Sequence, residues 1–239
     1  MSPAAWPVAP RPAASWLPAV PWNGLTVLDG YCCQGGAGMG YHLAGYRVLG
    51  IDLHPQPRYP FAFIQADAVA FITGHGHRFG FVHASPPCQH YSGTQRIQGN
   101  EHPDLIAPTR TALESTGRPW VIENVAGARH ELRDPVMLCG AMLGLETYRH
   151  RYFETGGFTL TPPAHPCHAV PQAKMGRPVP PGHFGQFVGN FSGVPLARRV
   201  MHVPWMNRDG IRESIPPAYT ELIGRQAAQQ ILNPAGAAA

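Results

Sequence analysis

Short β-rich runs alternate with helical segments through the first two thirds of the chain. Leu25–Asp29, Arg47–Asp52, Phe61–Gln65, Gly80–Ala84 and Trp120–Glu123 read as strands, and Tyr148–Phe153 as one more. Gly38–Ala44 reads as a helix that Gly45 terminates, and Pro103–Glu114 as a second that Pro108 interrupts. This alternation predicts an α/β fold with a doubly wound, mostly parallel sheet. Such sheets bind ligands at the carboxyl ends of their strands. Asp29, Asp52, Asp67, Cys88 and Glu123 fall at or just beyond those ends. With 27 glycines and 27 prolines among 239 residues, an all-helical bundle or a coiled coil is excluded.

The rest of the chain is less regular. Residues 1–22 hold six prolines and six alanines and read as a mobile arm. Residues 23–153 form the principal domain, 154–195 a small irregular lobe rich in proline, and 196–239 a returning segment. Within that last segment Ala218–Leu232 reads as a helix with Leu222, Ile223 and Ile231 as its apolar stripe. No apolar run approaches the roughly 18 residues of a membrane helix, and no secretory signal is expected. Five unevenly spaced cysteines imply no disulfide framework and a reducing compartment. The formal charge of +4 permits a polyanionic partner without demonstrating one.

Two constellations carry chemistry. Asp29 to Gly40 is a glycine-rich turn between a strand and a helix, where backbone can approach a ligand and the helix start adds partial positive charge. Asp52 ends the next strand, at the place of a carboxylate that accepts ribose hydroxyls. Asp67 follows the third strand and is in position to contact an adenine. Together they favour a nucleoside cofactor such as S-adenosylmethionine over a dinucleotide. The second constellation is Ser85-Pro86-Pro87-Cys88-Gln89, whose two prolines hold a cysteine at a strand end. A free thiol is only about 3% thiolate at pH 7, so a nucleophilic Cys88 needs activation. Glu123 closes an apolar strand, where burial raises its pKa and lets it share or donate a proton. Arg149 and Arg151 share one face of a strand and can hold a carboxylate, a phosphate or a base carbonyl.

In this order these residues resemble the DNA cytosine-5 methyltransferase family. Residues 29–45 are similar to its first motif, with Asp52 and Asp67 at the acids of the next two. Pro86-Pro87-Cys88-Gln89 with Tyr91-Ser92 resembles its catalytic loop, Glu123-Asn124-Val125 its Glu-Asn-Val motif, and Arg149-x-Arg151 its paired arginines. Ile215-Pro216-Pro217-Ala218-Tyr219 with Ile223-Gly224 resembles the C-terminal motif that folds back beside the cofactor. The resemblance spans about 25–153 and 196–232. It implies a Rossmann-like class I methyltransferase fold and methyl transfer from S-adenosylmethionine to cytosine carbon 5 in DNA. Cys88, Glu123, Arg149 and Arg151 would be catalytic, on a base flipped from the duplex. It implies a cofactor held by Asp29, Tyr31, Gly35, Gly36, Gly40 and Asp52, with Leu53, Asp67, Ala68, Pro86, Leu105 and Gly224. It further implies a base held by Pro87, Gln89, Ser92 and Asn124.

The family's habits imply a monomer in the cytoplasm of a bacterial or phage-infected cell, with a cognate restriction endonuclease as partner. Two rivals stand beside this reading. One is a catalytically silent DNA-binding module; the other is the same chemistry on RNA or a free nucleotide, since related enzymes acting on transfer RNA share the Pro-Pro-Cys and Glu-Asn-Val signature. The chain departs from the family pattern at several places. Cys33 stands for a usual glycine, Tyr31 for a phenylalanine, Thr147 for a glutamine, and Arg225 follows Gly224 in place of asparagine. Arg225 beside the cofactor would suit a carboxylated cofactor variant. The lobe between Phe153 and Leu196 is far smaller than the family's target-recognition domain, which implies a short or loose recognition sequence. It carries His165, Cys167, His168 and His183, whose spacing matches no common zinc pattern, and no metal is expected.

Overall fold

The computed structural model describes residues 12–87 and 104–234. Seven strands form one sheet: β1 Thr26–Gly30, β2 Arg47–Asp52, β3 Ala62–Gln65, β4 Phe81–Ala84, β5 Trp120–Asn124, β6 Val136–Leu138 and β7 Arg151–Gly156. The order across the sheet is β3-β2-β1-β4-β5-β7-β6. The first five strands run parallel, whereas β7 is antiparallel to both β5 and β6. The order reverses between β1 and β4, which opens the crevice where ligands of such sheets lie.

Both faces of the sheet are covered because neighbouring apolar residues point to opposite sides. Leu28, Ile51, Val82 and Ile122 pack with Phe71, Ile72 and Leu113 on one face. These last three come from α2 (Ala68–His75) and α3 (Ile106–Ser115). Val27, Phe81, Val121 and Phe153 pack with Tyr41, Tyr219 and Ile223 on the other. Those come from α1 (Gly36–Leu43) and, further along the chain, α6 (Pro217–Leu232). Two short helices, α4 (Val194–Val200) and α5 (Arg208–Glu213), precede α6. A separate cluster of Phe187, Phe191, Val200, Met201 and Ile211 joins the end of the lobe to this returning segment.

Several elements differ from the sequence expectation. The last strand starts at Arg151, not Tyr148, because Arg149 sits at φ 31°, outside extended backbone. Helix α2 was not expected; Asp67, read as an adenine contact, caps it by accepting the Ala70 amide. Strand β6 has only three residues. The described part of the arm, 12–22, is docked: Trp16 lies 5.5 Å from Trp205, and Trp22 donates to the Leu25 carbonyl beneath the Arg47 guanidinium.

Candidate active site

The turn after β1 is built from left-handed backbone. Tyr31 (φ 59°), Cys33 (φ 45°) and Gly35 (φ 83°) all adopt it. Cys33 thus stands where a glycine is the unstrained choice. The turn is braced from the far end of the chain. The Gln34 amide donates to Asn207 and accepts the Asn207 backbone N–H, while the Trp205 indole donates to the Gln34 carbonyl. Helix α1 then begins at Gly36 and packs closely on α6. A Cβ on Gly36 would lie 2.3 Å from the Ile215 carbonyl, and one on Gly40 would lie 2.1 Å from the Pro217 carbonyl. Gly224 faces back, against Ala44 and Tyr41, and its carbonyl accepts the Tyr46 hydroxyl. The side-chain positions of Gly36, Gly40 and Gly224 are therefore filled by helix packing.

The acids occupy three different settings. Asp29 is buried beneath the turn, where Oδ2 accepts the Tyr59 hydroxyl at 2.9 Å. Its Oδ1 has no hydrogen-bond partner among the described residues. Burial pushes its pKa up to about 7, against the opposing bonds from Tyr59 and the Gly38 backbone, with Asp52 adding to the rise. Asp52 sits at the tip of β2, and its two oxygens accept the Cys33 and His54 amides. Each oxygen keeps a further lone pair. Leu53 beside it is 58% exposed. Asp67 is exposed, Ala68 is buried and Leu105 half-buried at the start of α3. Tyr31 bonds Thr109 of α3 at 2.7 Å. Arg225 is exposed and pairs with Glu221 one helical turn away.

Glu123 and its partners gather at the tip of β5. The carboxyl is buried, with Oε1 at 2.8 Å from Nε of Arg151. That contact is not an aligned hydrogen bond, and Oε1 has no such bond among the described residues. Burial raises the Glu123 pKa, opposed by Arg151, by a hydrogen bond from Ser85 and by Arg149. Asn124 is buried beside it, and its amide donates to the Pro86 carbonyl at 3.0 Å across 38 residues of sequence. Pro86 is buried and Pro87 half-buried in the same turn. Arg149 points elsewhere. Its guanidinium donates to the carbonyls of Phe187, Ile211, Arg212 and Ser214, which ties the returning segment to the foot of β7.

A polar chain that sequence reasoning missed runs from the core to Glu123. The Tyr41 hydroxyl lies 2.9 Å from His83 Nδ1, and His83 Nε2 lies 2.8 Å from Ser85 Oγ. Ser85 in turn bonds the Glu123 carboxyl. His83 is fully buried, and burial lowers its pKa to about 3. A neutral ring with Nε2–H satisfies every member: Tyr41 donates to His83, His83 to Ser85, and Ser85 to Glu123. The signal in the sequence was a histidine inside the apolar run Phe81-Val82-His83-Ala84. A cleft of about 240 Å³ lies beside Arg151, lined by Thr147, Tyr148, Arg149, His150, Gln186 and Phe187 among others. It has no lining from the glycine turn. Cys88, Gln89, Tyr91 and Ser92 lie outside the described residues.

The fold is that of a known methyltransferase. A structure of the S. pombe Dnmt2 methyltransferase superposes with a TM-score of 0.54 at 12% identity, covering 88% of this chain and 99% of that one. The chain has a Rossmann-like methyltransferase fold. A TehB-like SAM-dependent methyltransferase from Corynebacterium glutamicum matches over 45% of this chain and 58% of its own, at 22% identity and a TM-score of 0.30. A Burkholderia thailandensis 1,6-didemethyltoxoflavin-N1-methyltransferase, solved with S-adenosylhomocysteine, matches over 54% of this chain and 53% of its own, at 17% identity and a TM-score of 0.30. No protein-family model and no curated protein matches the chain.

Proposed function

We propose that this protein transfers a methyl group from S-adenosylmethionine to carbon 5 of cytosine in DNA, through a covalent adduct at Cys88. The observation that carries the reading is the bond between Asn124 and Pro86. It joins the Glu-Asn element to the Pro-Pro turn from which Cys88 follows. Ser85 makes a second link, to Glu123 itself.

The residues present fit the cofactor. Asp52 keeps acceptor capacity for ribose hydroxyls at the tip of β2, Leu53 offers exposed apolar surface beside it, and the left-handed turn supplies close backbone. When bound, the cofactor supplies an electrophilic methyl group. The chain's own part begins with the Cys88 thiolate adding to carbon 6 of the base, which makes carbon 5 nucleophilic. Glu123, whose pKa burial raises against the opposing Arg151, Ser85 and Arg149, bonds the ring nitrogen 3 side and stabilises the charge that develops there. Arg151 keeps that carboxyl oriented. After carbon 5 is methylated, its proton passes to solvent water, the carbon 5–carbon 6 double bond re-forms, and the bond to Cys88 breaks to release the thiolate. Asn124 and Arg149 act by position: Asn124 sets the turn and Arg149 anchors the returning segment.

Duplex DNA carrying 5-fluorocytosine tests this reading, because fluorine cannot leave as a proton and the adduct persists. The expected result is a denaturation-resistant complex, mapped by peptide mass to Cys88 and absent from Cys88→Ala. Methylation of transfer RNA with none of duplex DNA would overturn the DNA assignment. Full transfer by Cys88→Ala would overturn the mechanism.

A further inference from the structure

At the edge of the cleft beside Arg151, which His150 and His168 help to line, four metal-ligating side chains converge where the small lobe meets the sheet. Cys139 follows β6 and His150 precedes β7. Continuing the antiparallel register past Leu138↔Arg151 sets these two residues opposite each other. His165 and His168 come from the proline-rich strap. The Cys139 sulfur, and one ring nitrogen from each histidine, all lie within 4.8 Å of one another. The Cys139 sulfur is already 3.4 Å from His168 Nε2. The His150 and His168 rings stack at 5.0 Å, and His165 stands 4.8 Å from His168.

We propose that Cys139, His150, His165 and His168 form a tetrahedral zinc site that fastens the lobe to the sheet. A zinc ion with bonds of about 2.1 Å to nitrogen and 2.3 Å to sulfur needs ligand separations of about 3.4–3.7 Å. The cluster, whose ligand atoms all lie within 4.8 Å of one another, reaches that geometry by contracting its widest edge by a little over about 1 Å. One cysteine and three imidazoles are the donor set of a borderline-soft ion, and four protein ligands leave no open position, as in structural sites.

Two further observations point the same way. His150 Nε2 is buried with no hydrogen-bond partner among the described residues, a cost a metal bond would remove. Cys139 is fully buried, and its sulfur accepts the Met142 backbone N–H while facing the three imidazoles. The lobe also needs a fastening. Between residues 161 and 184 only Ala173 is buried, and the single β-bridge is Gln172↔Phe184. A segment with so little core holds one arrangement by cross-linking. The site lies one residue from Arg151, so the ion would fix the foot of β7 and one wall of the cleft there. This departs from the sequence expectation of no metal. It does not depend on the proposed reaction.

The test uses the full chain without a histidine tag. Elemental analysis after dialysis is expected to find about one zinc per chain. Cobalt substitution is expected to give the absorption of a tetrahedral site with a sulfur-to-cobalt charge-transfer band, lost in Cys139→Ser. His165 and His168 are exposed, so H165A/H168A leaves the sheet and its covering helices intact and removes the His168 stack on Tyr148 and the contact with Cys139. That variant should keep its circular dichroism and lose metal by about tenfold or more. Cys167→Ser and His183→Ala should retain it. Chelation should speed proteolysis within 161–184, and zinc should restore protection. Wild-type protein that binds neither zinc nor cobalt, or H165A/H168A that keeps full zinc, overturns the proposal.

Discussion

Asp29→Asn should reverse part of this protein's pH dependence. Burial holds the Asp29 carboxyl at a pKa of about 7 in the fold against 3.8 for the ordinary group. The folded chain therefore binds more protons than the unfolded chain between about pH 4 and pH 7. Stability from this group is fully present below pH 4 and falls as pH rises through 7. Over the whole window the loss is about 4 kcal/mol, and between pH 5 and pH 8 it is about 3 kcal/mol. Asparagine is nearly isosteric, can still accept the Tyr59 hydroxyl and does not titrate. An amide nitrogen left unpaired in place of Oδ1 adds a constant offset of about 1–3 kcal/mol. The quantity to measure is thus the change with pH of the difference between variant and wild type. Effects of other titrating groups, including the buried Arg110–Glu154 pair, cancel in it. Urea denaturation at pH 5 and pH 8 should show the variant gaining about 3 kcal/mol on wild type, or about 6–12 °C in melting temperature. A difference that stays constant within about 1 kcal/mol would refute the assignment of a protonated Asp29.

Three other substitutions probe separate links. Gly40→Ala places a methyl 2.1 Å from the Pro217 carbonyl and should destabilise the fold by about 3 kcal/mol in chemical denaturation; a neutral result would mean α6 is not seated on α1. Ser85→Ala removes one bond that favours ionised Glu123, so the Glu123 pKa rises further. The limb of the pH–rate profile that reports this carboxyl should then move to higher pH, and an unchanged profile would separate Ser85 from the site. Asn124→Ala frees the Pro86 carbonyl, and turnover should fall by about 100-fold while S-adenosylmethionine affinity by calorimetry is kept; equal losses in both would assign Asn124 to general stability.

The parallel core was legible because its strands are apolar runs closed by glycine, aspartate or proline. Arg47–Asp52 matches β2 at both ends, and Trp120–Glu123 falls one residue short of β5. What was not legible was short or tertiary in origin. Strand β6 has three residues, and α2 contains Val69, Ile72, Thr73 and Gly74, none of which signals a helix. At the site, the pairing of Glu123 and Asn124 with the Pro86 turn follows from motif order. The roles of Gly36, Gly40 and Gly224 do not, because a glycine that admits a helix looks the same in sequence as one that admits a ligand. Arg149 and Arg151 sit two apart, yet Arg151 pairs with Glu123 while the Arg149 guanidinium is bonded to carbonyls of the returning segment and acts on Glu123 through its charge. The convergence of Cys139 and His150 with His165 and His168 was hidden because a hairpin and a strap contribute two residues each.

The bracing of the Gln34 loop by Trp205 and Asn207, and of Gly36 by Ile215, has a consequence for biosynthesis. Residues translated first depend on residues translated 171 and 173 codons later. A nascent polypeptide stalled before Trp205 would leave the Gln34 turn without these supports. The turn therefore reaches its final shape only once residues 205–215 have been made and folded back onto it.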